Sequence, residues 1–158
     1  WLARMLEAGE DPLYVARRVT RFASEDIGLA DPRALEIAVS AYQACHFIGM
    51  PECTVHLTEA VVYMSLAPKS NALYTAYNRA RKDALDQLAE PVPAVMKDLG
   101  YGDGYQYAHD TEEKLTNMQC LPDSLLDRQY YRPTDQGVEA RFKERLQQIK
   151  AWKKKHSK

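Results

Sequence analysis

The sequence predicts an all-α fold, and three observations carry that expectation. Ala and Leu together number 36, against 13 for Val and Ile, so strong helix formers far outweigh β-branched residues. There are only seven glycines, and most stand where a helix would stop. Apolar residues recur at three- and four-residue spacing in consecutive blocks, each opened by Asp-Pro, Pro or Ser. The 158 residues amount to about one ordinary domain, and 46% are hydrophobic.

Trp1 to Ala8 reads as the end of a helix closed by Gly9. Asp11-Pro12 is a helix start, with a side-chain cap followed by proline in the first turn, and Val15, Val19, Phe22 and Ala23 follow at helical spacing up to Gly28. Asp31-Pro32 repeats the signal, and Leu35, Ala38, Val39, Tyr42 and Cys45 form the next stripe, stopped by Gly49. Pro51 opens a helix carrying Cys53, Leu57, Ala60, Val61 and Met64, which Pro68 closes. Ser70 is placed to cap a fourth long helix, whose expected buried face is Leu73, Ala76, Tyr77, Ala80, Ala84 and Leu88. Arg17, Arg18, Arg79, Arg81 and Lys82 lie off these stripes and are expected in solvent.

Pro91-Val92-Pro93 favours extended backbone. One or two helical turns fit 95–99, before an alternation of Gly and Tyr from Gly100 to Tyr107 that reads as a loop. A short helix is expected over 123–127, and Tyr130-Tyr131-Arg132-Pro133 as an extended aromatic anchor. Thr134 or Asp135 is the expected cap of a final helix bearing Val138, Phe142, Leu146, Ile149 and Trp152 and ending in lysines, which suit a helix C-terminus. The predicted organisation is a helical core over 1–90, a Pro/Gly/Tyr-rich loop region over 91–133 packed on it, and a long helix over 134–158, all in one domain.

Lys and Arg total 21 and Asp and Glu 22, a formal net charge of -1, which argues against a polybasic coat for nucleic acid and against an acidic disordered tail. No apolar run approaches the roughly 18 residues that span a bilayer. The opening residues lack the basic leader and small-residue cleavage site of a signal peptide. A chain opening on Trp1 is expected to be a piece of something longer. An odd count of three cysteines suggests reduced thiols and an intracellular protein. Cys45-His46 and Cys53 with His56 match no usual zinc spacing, and both thiols lie on apolar stripes, so buried structural cysteine is expected.

No catalytic constellation stands out. The G-x-x-x-x-G-K-[ST] phosphate loop is absent, and Gly100-x-Gly102-x-Gly104 does not keep the spacing of G-x-G-x-x-G. His109-Asp110 is a pair that metal-dependent phosphohydrolases use, with His46 and His56 as conceivable further ligands; a histidine hydrogen-bonded in a tyrosine-rich loop is the preferred reading. Ser24-Glu25-Asp26 sets two carboxylates side by side, about 100 degrees apart on a helix, which suits capping or a helix contact better than acid–base work. Lys69, Arg79, Arg81, Lys82, Lys97 and the terminal lysines are candidate phosphate contacts, with Tyr74, Tyr77, Tyr101, Tyr105 and Tyr107 as stacking partners. The plainer account is that Tyr packs well with a polar tip.

Long ordered blocks resemble one family. They are 21–35, opening Arg21-Phe22-Ala23-Ser24-Glu25-Asp26 and running through Asp31-Pro32; 47–52; Ala67-Pro68-Lys69-Ser70-Asn71-Ala72-Leu73-Tyr74-Thr75-Ala76-Tyr77-Asn78; 99–110, with Gly100, Gly102, Tyr105, His109 and Asp110; and Tyr131-Arg132-Pro133-Thr134-Asp135-Gln136-Gly137-Val138-Glu139. In these blocks the chain resembles the C-terminal region of the replication-associated recombination protein A (RarA/MgsA) family of AAA+ ATPases, relatives of the eukaryotic Werner helicase-interacting protein. The resemblance implies a helical collar domain like that of clamp loaders, which joins ATPase subunits into homotetramers. It implies a cytoplasmic, nucleoid-associated bacterial protein acting in replication-fork maintenance, recombination and repair, with DNA and single-strand-binding protein as partners and no membrane. ATP and Mg belong to the preceding AAA+ module, so no catalytic residue, cofactor or metal is carried onto this segment, and the matched motif residues are expected to be structural. Family members usually carry a further stretch with His, Arg and Asn after Pro-Val-Pro, where this chain runs directly from Pro93 to Ala94.

Overall fold

Alanine decides how the helices meet. In the computed structural model, which describes residues 1–87, 90–97, 104–126 and 128–156, the helices are α1 (Leu2–Glu7), α2 (Pro12–Phe22), α3 (Arg33–Ile48), α4 (Cys53–Leu66), α5 (Ala72–Asp86) and α6 (Glu139–His156). No strand occurs among the described residues, so the fold is all-α. Single 3-10 turns lie at Gly28–Ala30, Ala94–Met96, Ala108–Asp110 and Asp123–Leu125. The expected helical turns at 95–99 and 123–127 are therefore shorter; positions 98, 99 and 127, with Gly100, Tyr101 and Gly102, lie outside the described residues. The chain divides into two compact units, Trp1–Tyr77 with Tyr131–Lys143, and Asn78–Tyr130 with Glu144–Lys158.

The helix starts follow the local signals. Asp11 accepts the Leu13 N–H at 3.0 Å, and Asp31 accepts the Arg33 N–H at 3.2 Å. The second oxygen of Asp31 also takes the Tyr63 hydroxyl at 2.6 Å, tying the start of α3 to α4. After Phe22 the chain widens into a π-helical turn, Ala23–Ile27, before Gly28 ends it.

In the first unit, Ala23, Ile27, Ala34, Ala38, Ala41, Ala60 and Met64 form one buried cluster, and Leu6, Val15, Ala16, Cys45, Cys53 and Leu57 a second. The phase of α3 differs from the predicted stripe. Its buried face is Ala34-Ala38-Ala41-Cys45, while Leu35, Val39 and Tyr42 stay 42%, 39% and 38% exposed. Both sets keep helical spacing; the methyl-sized set lets α3 approach α2 and α4 closely, and the bulky set remains outside. The expectation for α5 is overturned: only Ala72 is buried, Leu73, Tyr77 and Ala84 are exposed, and Ala76 and Ala80 are partly covered. Leu88 lies outside the described residues.

The start of α6 also differs. Thr134 and Asp135 do not cap it: the helix begins only at Glu139, and the Thr134 hydroxyl donates to the Glu139 side chain while accepting the Gln136 N–H at 3.2 Å, ahead of the helix. Along α6, Leu146, Ile149 and Trp152 are half-buried, but Val138 and Phe142 are each 39% exposed.

Glu139 is 0% exposed and carries the main polar cluster of the first unit. Its carboxylate accepts from the Tyr131 hydroxyl at 2.9 Å, the Thr134 hydroxyl at 2.5 Å, the Thr134 N–H at 3.1 Å and the Ser70 hydroxyl. Burial by itself would raise the carboxyl pKa; the hydrogen bonds outweigh it and hold the group below its ordinary 4.5. Burial first, and the bond to Glu139 second, push the Tyr131 phenol well above its usual range. Two backbone contacts frame the cluster. Ser70 N–H donates to the Asp26 carbonyl at 2.8 Å, and Val138 N–H to the Ala30 carbonyl at 2.8 Å.

Both close approaches need glycine. At Gly28, with φ +54, a Cβ would lie 2.9 Å from the Ser70 carbonyl oxygen. At Gly137, with φ +50, it would overlap the Ala30 carbonyl and the Pro68 ring. Gly137→Ala is expected to cost at least about 2 kcal/mol in urea unfolding, because strained backbone adds to a backbone clash. Glu139→Gln is expected to cost about 2–4 kcal/mol, because an amide turns two donors toward groups that already donate. The acid limb supplies a sign. Since folding lowers the Glu139 pKa, its contribution is present above the unfolded value and is lost as pH falls through the folded one. Urea midpoints from pH 6 to about pH 3 should therefore fall more steeply for the parent chain than for Glu139→Gln.

Candidate interaction surface

Large apolar side chains stand in solvent around α2 in the first unit. Tyr14 is 39% exposed, Phe22 37% and Tyr74 51%. α2 is strongly two-faced: Val15 and Ala16 point into the core while Arg17, Arg18 and Arg21 point out. A cleft of about 800 Å³ runs along one flank, lined by Leu2, Met5, Tyr14, Phe22, Val61 and Met64, with Arg18, Arg21, Glu25 and Asp26 also on its walls. A shallower depression on the other flank is lined by Val39 and Tyr42 with Arg17, Thr20, Arg21 and Ser24. Arg21 borders both, so the two hollows flank one ridge of α2. Its guanidinium is held by Glu25, with Nε to Oε2 at 2.5 Å. The Arg17 guanidinium lies 5.4 Å from the centre of the Tyr14 ring.

The structure places the motif residues one by one. Glu25 pairs with Arg21, Ser24 and Asp26 are exposed, and the Asp26 carbonyl receives Ser70. Asp31 starts α3, and Pro68 packs where Gly137 passes. The Asn71 carbonyl accepts the Thr75 N–H in the first turn of α5. Lys69, a candidate phosphate contact, turns its ammonium onto the carbonyls of Ala67 at 2.9 Å and Met64 at 3.1 Å, capping the end of α4. The ammonium thus meets the negative end of the helix dipole.

In the second unit, Asn78, Arg79, Arg81 and Lys82 are exposed on α5, and Lys97 is exposed after the turn at Ala94–Met96. Arg128 and the Tyr130 hydroxyl both reach Asp83, at 3.2 Å and 3.0 Å, so the aromatic anchor holds there through Tyr130 as it does in the first unit through Tyr131. Tyr105 is half-buried; His109 and Asp110 are exposed on a 3-10 turn, with the His109 ring 5.0 Å from that of Tyr107. No cluster of three His, Cys, Asp or Glu side chains able to hold a metal is found among the described residues, and His46 and His56 do not join one.

Sequence reasoning missed the buried carboxylate, though Tyr131, Thr134 and Glu139 stand in one matched block. A Glu between apolar Val138 and Ala140 at a helix start was the available signal. Cys45 and Cys53 are both buried, as expected, in one cluster, and are hydrogen-bonded to each other. Burial, and then that bond, push the Cys45 thiol up to about 12, so it is protonated at neutral pH.

The first unit is thus helical and carries an exposed apolar ridge. The family model described as MgsA AAA+ ATPase C terminal matches residues 1–150, and the chain belongs to that family. Replication-associated recombination protein A of Haemophilus influenzae is 44% identical over 95% of this chain and 36% of its own length. The protein of the same name from Escherichia coli K12 is 41% identical over 92% and 35%. ATPase WRNIP1 of Dictyostelium discoideum is 43% identical over 83% of this chain and 16% of its own length. The chain thus spans roughly a third of the length of the bacterial relatives it matches. Among the described residues, no helix is long and apolar enough to cross a membrane.

Proposed function

We propose that this domain is the oligomerisation module of a AAA+ ATPase acting on DNA at replication forks, a clamp-loader-like collar that joins four subunits through their helical ends. ATP and Mg are used by the preceding AAA+ module. The observation that carries this proposal is the ridge of α2, with apolar hollows on both flanks bordered by exposed Tyr14, Phe22, Val39 and Tyr42. Water leaves such a surface readily when an apolar partner covers it, and a second copy supplies an identical surface at the same concentration. The Arg21–Glu25 pair and neighbouring Arg17 and Asp26 add charges of both signs, so facing copies can satisfy one another without net repulsion.

Sedimentation over a rising concentration series tests the proposal. The expected result is a species several times the 18.0 kDa of the chain. The pair Phe22→Asp and Val39→Asp should reduce it to the monomer with unchanged helical circular dichroism. A chain that stays monomeric through high micromolar concentration refutes the oligomeric role.

A second role, direct contact with single-stranded or forked DNA, is favoured by Arg79, Arg81 and Lys82. All three are exposed on α5 and form no ion pair among the described residues, and exposed Tyr74 and Tyr77 precede them on the same helix. Replacing the three charges with Ala should lower the slope of log K against log salt by about 2, read by fluorescence anisotropy with a single-stranded oligonucleotide. Absence of any binding at low salt would dispose of this contact.

A further inference from the structure

At the turn between α3 and α4 the fold brings three sulfur atoms together. Cys45 closes the last turn of α3 and is 3% exposed; Cys53 opens α4 and is 0% exposed. Both sit in the same buried cluster with Leu57 and Val15. The Cys45 thiol is hydrogen-bonded to Cys53, and the Cys53 Sγ donates onward to Met50 Sδ at 3.6 Å. Met50 itself is 45% exposed, so the row of sulfurs leads from the core to the surface.

We infer that Cys45, Cys53 and Met50 form a binding site for a soft monovalent metal ion of the copper(I) class. The donor chemistry selects the ion. Two thiolates and a thioether are soft ligands, which prefer copper(I) to the hard cations that carboxylate and carbonyl oxygens hold. The geometry fits as well. Three sulfurs each about 2.3 Å from one ion in a plane stand about 4 Å apart, close to the 3.6 Å between Cys53 and Met50. The three residues lie within nine positions of one helical hairpin, so the site can close with a small adjustment of side chains. On binding, each thiol gives its proton to solvent, two copper–thiolate bonds and one copper–thioether bond form, and no electron is transferred. Zinc is disfavoured, because its sites use at least three His, Cys or carboxylate ligands and no group of three such side chains is found among the described residues. Cys120, exposed and hydrogen-bonded to the Met118 carbonyl, stands outside the group.

The test is a competition for copper(I) between the chain and bicinchoninate, under ascorbate and without oxygen. The expected result is one ion withheld from the chelator per chain, with three sulfur neighbours at about 2.3 Å in X-ray absorption. Cys45→Ser and Cys53→Ser should each weaken binding by at least about tenfold, and Cys120→Ser should leave it unchanged. Met50→Leu keeps the volume of a half-exposed side chain and should weaken binding with the helical circular dichroism preserved. This variant keeps the site falsifiable if a buried cysteine variant does not fold. The site is overturned if the chelator keeps all the copper, if binding disappears with Cys120→Ser alone, or if Met50→Leu binds as the parent chain does.

Discussion

The helical core of the first unit depends on one buried carboxylate. Glu139 has no exposed surface, and an unpaired charge in such a place costs several kcal/mol. Four donors from Ser70, Tyr131 and Thr134 meet it instead. Those donors come from segments more than sixty positions apart, and two backbone hydrogen bonds bring in a third, at Asp26 and Ala30. The stretch 131–139 is thereby fastened to the connection between α2 and α3 and to the connection between α4 and α5. Gly28 and Gly137 permit the close backbone approach that this fastening requires.

The alanine face of α3 has the complementary effect. Methyl groups at Ala34, Ala38 and Ala41 let backbones come near one another, so the unit gains tight packing without large core side chains. The large side chains of the same helix must then go elsewhere. Leu35, Val39 and Tyr42 stay exposed, Val39 and Tyr42 beside Arg17 and Arg21 of α2, while the small residues Ala16 of α2 and Ala23 of the π-helical turn face inward. The exposed apolar ridge follows from how the core is filled.

Helix order and the starts of α2, α3 and α5 were legible because their causes are local. Asp11, Asp31 and Ser70 each cap within two residues of themselves, and Gly9, Gly28 and Gly49 stop helices through their own φ values. The phase of α3 was not legible, because 34-38-41-45 and 35-39-42 are both helical stripes and only the distance between helices chooses the smaller set. The face of α5 was misjudged for a related reason: spacing shows that a stripe exists, and a neighbouring element must exist to cover it. The partners of Glu139 and the meeting of Cys45 with Cys53 were invisible to spacing, since each depends on a turn whose direction the residue pattern does not encode. The matched family blocks marked Tyr131, Thr134 and Glu139 as belonging together without giving the reason, which is a hydrogen-bond count.

Polar and apolar groups divide the work between register and association. An apolar contact tolerates sliding by a fraction of a turn, because methyl groups have no preferred direction. A carboxylate with four donors at fixed positions does not, since a shift of one residue along α6 would leave Ser70, Tyr131 and Thr134 without an acceptor in a dry site. The Glu139 cluster therefore sets where α6 begins and which way Val138 and Phe142 face. With that register set, the α2 ridge can be broad, greasy and approximate, as a surface for association needs to be. Charge placement obeys the same division: in the first unit the fully buried ionised group is the one that aligns the chain, while Arg17, Arg18 and Arg21 remain in water.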